Sequence, residues 1–353
     1  MSSNPVLVEA LRGDHAESSH RGSLAIVDAA GDVAVQIGDI DRPVFPRSAI
    51  KVLQALPLVA SGAADALGLD AAELALACAS HSGEPAHAST AAAMLAKAGL
   101  DADALECGAH WPYDEAAVRA LAASGGTPTA LHNNCSGKHS GFACLGCWMS
   151  RQRSPAADVR GFLSGYVRPG HAVMREVGAA IESATGVRLA DAPMGIDGCS
   201  IPTFALPLRA LARAFARVGT GEGLSRDRAM AAARLRRAVA SHPHRVAGTG
   251  RFDTRVIERL GERVFCKVGA EGVYCASLPE SGLGVAIKVD DGNTSRACEV
   301  VMATVIEARV RLDDDERAFI AALSDVELRN WRGLSVGRLR ASAALRCGLG
   351  AAA

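Results

Sequence analysis

Three short stretches near the start of the chain, 5–10, 23–28 and 32–37, alternate apolar with polar positions or cluster β-branched residues. The last two flank Ala29-Ala30-Gly31, so the pattern predicts one strand followed by a hairpin. Beyond Pro43 and Pro46 the period changes. Segment 48–59, Ser-Ala-Ile-Lys-Val-Leu-Gln-Ala-Leu-Pro-Leu-Val, repeats its apolar residues at helical spacing, with Ser48 in the opening turn. Ala- and Leu-rich helical patterns then dominate to about residue 240, at 71–79, 85–98, 116–123, 139–151, 160–184 and 226–239. Strand patterns return at 263–269, 272–278 and 283–289, joined by short Gly, Glu and Pro turns that favour antiparallel pairing. A final helix is expected over about 293–309, with an Ala-rich tail at the end.

Strands at both ends around a helical middle predict an α+β (mixed α/β) fold: one antiparallel sheet built from the two termini, with flanking helices and a helical lobe. Residues 1–353 form a single unit in this reading. The sheet lobe takes about 1–60 plus 261–353, the mainly helical lobe about 61–260, and the cleft between them is where a site is expected.

Composition narrows the ligand. The 38 Lys and Arg residues balance 38 Asp and Glu, which gives no reason to expect nucleic acid or an anionic membrane as partner. No apolar run approaches the roughly 20 residues of a bilayer span. The N-terminal residues lack the pattern of a secretory signal, so a cytoplasmic protein is expected. Ten cysteines scattered through a chain of this length read as reduced, mostly buried thiols. Aromatic residues, at 4%, are too few for stacking platforms.

Ser48-Ala-Ile-Lys51 places hydroxyl and amine on one face of a helix. Lysine can then act as the serine's base, although a free lysine, with pKa about 10.4, is neutral only about once in a few thousand molecules at pH 7. Burial and a second cation lower that value. The plainer alternative is a helix cap with Lys51 in solvent. Late in the chain, Lys267-Val-Gly269 sits in a predicted strand, like the Lys-Thr-Gly strand of serine β-lactamases and penicillin-binding proteins; an exposed edge lysine is the alternative. Between them lies Ser80-His-Ser-Gly-Glu-Pro-Ala-His87, rich in hydroxyls and imidazoles, where those enzymes carry a second serine, but no Ser-Asp-Asn is present.

Two further segments carry thiols. Asn133-Asn-Cys135-Ser-Gly-Lys138-His139 sets a thiol, an amine and an imidazole at a helix N-terminus, and Asp197-Gly-Cys199 adds a carboxylate and a thiol in a Gly- and Pro-bounded loop. Cys135 and Cys199 suit either a zinc site or a pair of core thiols. Cys144-Leu-Gly-Cys147 lies in an apolar helical stretch and reads as core. The Gly219–Gly223 run follows no strand, against a dinucleotide role.

Taken together, Arg47-Ser-x-x-Lys51, Ala79-Ser80-His-Ser-Gly-Glu-Pro, Asn133-Asn-Cys-Ser-Gly-Lys-His-Ser-Gly141, Asp197-Gly-Cys199-x-x-Pro-Thr and Gly248-Thr-Gly-Arg251 stand in one order. Over roughly residues 8 to 300 the chain resembles the rhizobial-type L-asparaginase family. That family is similar in fold to serine β-lactamases and glutaminases. The resemblance implies hydrolysis of L-asparagine to L-aspartate and ammonia by a homodimer. It implies Ser48 as nucleophile, Lys51 as its base, and Ser80 with Lys267 as a second serine–lysine pair. It further implies zinc on Cys135, Lys138 and Cys199, serving substrate binding more than bond cleavage, with Arg47, Lys138, His139 and Asp197 around the substrate. No role follows for Cys144, Cys147 or Cys266.

Three rivals remain at this level. L-Glutamine is a competing substrate, since one methylene is worth only about 1–3 kcal/mol. A penicillin-recognising hydrolase would share Ser48, Lys51 and Lys267. A non-enzymatic zinc- or thiol-binding protein would use Cys135, Cys199 and Cys144.

Overall fold

A computed structural model describes residues 4–350. Its main sheet has eight strands: β1 (Val6–Arg12), β2 (His15–Asp28), β3 (Val33–Ile37), β4 (Phe265–Val268), β5 (Val273–Leu278), β6 (Leu283–Val289), β7 (Asp325–Arg329) and β8 (Ser335–Ala341). The helices of seven residues or more are α1 (Lys51–Ala60), α2 (Ala71–Ala77), α3 (Pro85–Ala98), α4 (Glu115–Ala123), α5 (Ser136–Arg153), α6 (Ala172–Thr185), α7 (Leu208–Thr220), α8 (Arg226–Ser241), α9 (Phe252–Leu260), α10 (Glu299–Arg309) and α11 (Asp314–Ser324). Among the described residues, no helix is long and apolar enough to cross a membrane. The chain divides into two compact units: the described residues up to Ala49 with Ala205–Glu222 and Cys266 onward, and Ile50–Phe204 with Gly223–Phe265.

The first unit is the sheet. Strand order is β7-β8-β1-β2-β6-β5-β4, with β3 also paired to β2, so both ends of the chain contribute strands to the α+β architecture. Every pairing with a defined register in this sheet is antiparallel. The 14-residue β2 organises it. Its polar first half is largely exposed and pairs with β1, whereas Leu24–Val27 are buried and pair with β6 on one edge and β3 on the other. Helix α7 covers the buried stretch of β2, β5 and β6. It lies so close that a side chain on Gly284 of β6 would overlap the Ala212 carbonyl. Val300–Ile306 of α10 are all buried, and α10 packs on α11, β1 and β8.

The second unit is mainly helical and is built around α5. Every residue from Ser136 to Cys147 is buried, the mark of a helix enclosed on all faces. Small residues make that possible. A side chain on Gly137 would overlap the Leu76 carbonyl, and one on Gly146 would overlap Leu163. The thiols of Cys144 and Cys147 donate to the Met94 and Ala98 carbonyls of α3, 3.4 Å each. Burial pushes Cys144 up to about 12, so this Cys-x-x-Cys is an inert part of the core.

Three regions depart from the periodicity reading. Residues 15–22, polar and without an apolar face, extend β2 because β1 pairs with them. Strands β7 and β8 follow α11 where no element beyond 309 was expected; their outward positions carry Arg and Glu, which masks the alternation. The helical pattern at 160–184 breaks at Ser164–His171, around Pro169-Gly170, into Val159–Leu163 and α6.

Candidate active site

Arg47, Ser48 and Lys267 belong to the sheet unit. The chain turns at Arg47, whose φ of 51° is left-handed, a conformation costing a non-glycine residue roughly 1–2 kcal/mol. A 3₁₀ turn over Arg47–Ile50, closed by the Ala49 N–H on the Pro46 carbonyl at 3.1 Å, runs straight into α1 at Lys51. Ser48 is therefore inside a helical turn, half-buried, rather than capping one. Strand β4 carries Lys267, fully buried, with Nζ donating to the Val268 carbonyl at 2.8 Å. Gly269 follows because the strand end runs against the serine's turn: a Cβ there would lie 2.7 Å from the Pro46 carbonyl and 3.2 Å from the Ala49 side chain. The glycine of Lys-Val-Gly thus has a packing reason. It brings the lysine-bearing strand against the Ser48 turn.

In the helical unit, Lys51 opens α1 and is 0% exposed. Its Nζ donates to the Ala79 carbonyl at 2.5 Å, to Cys135 Sγ at 3.1 Å and, at 3.4 Å, to the Asn134 carbonyl. Burial lowers its pKa from the ordinary lysine value; the Lys138 charge adds to this while the Cys135 and Cys199 sulfurs oppose it. Three acceptors suit an ammonium. A neutral amine keeps the two shorter bonds and frees its lone pair.

Cys135 and Cys199 come together. Cys135 precedes the first turn of α5, with its N–H held by Asn133 Oδ1 at 2.8 Å. Cys199 sits at the tip of a hairpin in which Met194–Ile196 pairs with Pro202–Phe204. The tip is tight: Asp197 N–H donates to the Ile201 carbonyl, Ser200 N–H to the Asp197 carbonyl, and Ser200 has φ 76°. Lys138 Nζ, also buried, donates to Cys199 Sγ at 2.9 Å. The hydrogen bond from the Cys199 thiol, and then the charges of Lys51 and Lys138, hold Cys135 well below the usual thiol value; the Cys199 thiol, which supplies that proton, is raised. Burial works against the charge on Lys138, but the two sulfurs and Asp197 outweigh it and hold the ammonium. Two convergent sulfurs with the Lys138 amine on one of them fit a zinc ion, which would replace the protons now binding the set together.

Ser80 follows the carbonyl that holds Lys51. Its Oγ is buried and has no hydrogen-bond partner among the described residues, as is true of His139 Nε2. His139 follows Lys138 on α5, its Nδ1 2.6 Å from the Tyr166 hydroxyl; burial, then the charges of Lys138 and Lys51, keep it neutral. Tyr166 gave no sequence signal. A further cluster joins Glu84, His87 and His244, whose ligand atoms lie within 4.8 Å of one another. Protein groups already satisfy it. His87 Nδ1 accepts the Glu84 N–H and its Nε2 faces the His244 carbonyl at 2.9 Å, while Glu84 takes Thr249 and His244.

Comparison with known proteins adds the following. The L-asparaginase II family model matches residues 8–341. No curated protein matches. Among solved structures, the chain is similar to a β-lactamase from Mycobacterium bovis at 13% identity and a TM-score of 0.36, over 86% of this chain and 92% of that one.

Proposed function

The chain belongs to the L-asparaginase II family and is an amidohydrolase acting on L-asparagine, and from that premise we propose that Ser48 and Lys51 carry the chemistry. The observation behind this is the burial of Lys51 three residues after Ser48 on one run of helical backbone, a burial that lowers its pKa from the ordinary lysine value. In this scheme neutral Lys51 takes the Ser48 proton and Oγ attacks the side-chain amide carbon. The tetrahedral intermediate collapses as Lys51 returns the proton to the departing nitrogen, releasing ammonia and leaving a β-aspartyl ester on Ser48. Water, deprotonated by the same amine, attacks the ester carbon; L-aspartate leaves and Ser48 recovers its proton. In this reading Ser80 and Lys267 serve as the second serine and second lysine. Support comes from the unpartnered Ser80 Oγ, the Ala79 link to Lys51, and the packing of β4 against the Ser48 turn.

The role of Cys135, Lys138 and Cys199 in this reading is to hold zinc, a Lewis acid that orients the amino and carboxylate end of the substrate when bound. Arg47, Lys138, His139 and Asp197 are the substrate residues in this reading. Two chains assemble as a homodimer.

Mass spectrometry of enzyme acid-quenched during turnover tests the assignment. A β-aspartyl adduct on the peptide bearing Ser48 is expected. An adduct on the Ser80 peptide alone would overturn the choice of nucleophile.

A further inference from the structure

A buried serine hydroxyl with no hydrogen-bond partner among the described residues must be aimed by its backbone. While the His81 N–H donates to the Asn134 carbonyl at 3.3 Å and the Ser82 carbonyl accepts the Tyr113 N–H at 2.8 Å, the Ser80 amide itself is tied to segment 246–249. Ser80 N–H donates to the Val246 carbonyl at 2.9 Å, and Ser82 Oγ donates to the Ala247 carbonyl at 2.8 Å. The tie ends at Glu84. Its Oε1 accepts the Thr249 N–H at 2.8 Å, and its Oε2 accepts the Thr249 hydroxyl at 2.8 Å and faces His244 Nε2 at 3.0 Å. Gly248 lies in the middle with φ 112°; a side chain there would overlap Glu84 Oε1 and come within 2.7 Å of Ser82 Oγ. Thr254 Oγ1 holds the Gly248 carbonyl from the far side at 2.7 Å. Alongside, the rings of His81, His87 and His244 stack at centroid distances of 4.8 and 4.9 Å, and His81 Nε2 reaches Ser136 Oγ, next to Cys135, at 2.9 Å.

We propose that Glu84 is a positioning residue for the hydrolysis: by clamping Thr249 and His244 it fixes segment 246–249 against 80–84 and so sets where the Ser80 hydroxyl stands. The inference rests on the reading of Ser80 as part of the reaction centre. The carboxylate suits the task. It offers two acceptor oxygens to three donors on one loop, and the Thr249 and His244 hydrogen bonds keep it ionised below the usual carboxylate range even though burial raises it. Neither Glu84 nor Thr249 needs to touch substrate.

The test is a double-mutant cycle on the full chain, with kcat and KM for L-asparagine measured for wild type, Glu84→Ala, Ser80→Ala and the double variant. Amide hydrogen exchange is followed at Ser80 and Thr249. Glu84→Ala is expected to lower kcat by about 10²-fold, the scale of a roughly 1 Å misplacement, with a much smaller change in KM, and to speed exchange at both amides. In the Ser80→Ala background the same substitution should change little, because the group it positions is gone. Thr249→Val, which removes one of the three donors, should show a smaller loss of the same kind and serves if Glu84→Ala does not fold. Equal losses in both backgrounds, or unchanged kcat in Glu84→Ala beside an impaired Ser80→Ala, would overturn the role of Glu84 alone. Wild-type kcat in Ser80→Ala would overturn the catalytic reading of Ser80 and this proposal with it.

Discussion

Lys51 is the residue on which the chemistry turns. An ammonium buried at the start of a helix breaks two local rules, since cations favour water and helix C-termini. Such violations gather at functional sites. Its pKa is depressed, so it is protonated below the depressed value and neutral above it. The rate of asparagine hydrolysis should therefore rise with pH through one ionisation lying below the ordinary lysine value, then level off. Lys51→Ala should remove that ionisation and lower kcat by about 10²–10⁴-fold with the fold intact by circular dichroism. A pH profile unchanged in Lys51→Ala would show that another group is the base. Ser48, Lys51 and Lys267 stood out as candidates because Ser-x-x-Lys on a helix and Lys-x-Gly on a strand are recognisable spacings. What spacing left undecided was exposure: the solvent-facing alternatives for Lys51 and Lys267 fall because both are 0% exposed. Tyr166 and the partnership of Glu84 with Thr249 were illegible, since only the fold brings residues 27 and 165 positions apart into contact.

At the level of elements, glycines set how closely the layers approach. Gly284→Val would force α7 away from β6, because the atom in its path is the Ala212 backbone and cannot rotate aside. A loss of about 1–3 kcal/mol is expected, read as a lower denaturant midpoint at unchanged slope. Gly62→Val, where nothing lies within 4 Å but φ is 84°, separates backbone strain from overlap and should cost less. An equal midpoint for Gly284→Val and wild type would contradict the close packing. Strands β4, β5 and β6 were readable to within two residues because both faces are buried and their turns are short. Strands β7 and β8 were not. Their residues are half-exposed and charged, and they are strands because β1 offers an edge.

Across the whole molecule, the sheet drawn from both termini and the helical insertion follow from the order of periodicities along the chain. The return of α7 to the sheet does not, because a helical period says that one face is buried and not which layer buries it. Zinc on Cys135, Lys138 and Cys199 predicts that chelation raises KM for L-asparagine more than it lowers kcat, with zinc found by elemental analysis of gently purified protein. Unchanged constants and no zinc would leave these residues as a hydrogen-bonded core cluster. Light scattering should give the mass of two chains; the mass of one would contradict the homodimer. The most direct measurement is ammonia release from L-asparagine by wild type and Ser48→Ala side by side, with L-glutamine and buffer as controls. Release by wild type that disappears in Ser48→Ala is the predicted result, and equal release by both would contradict the account at its centre.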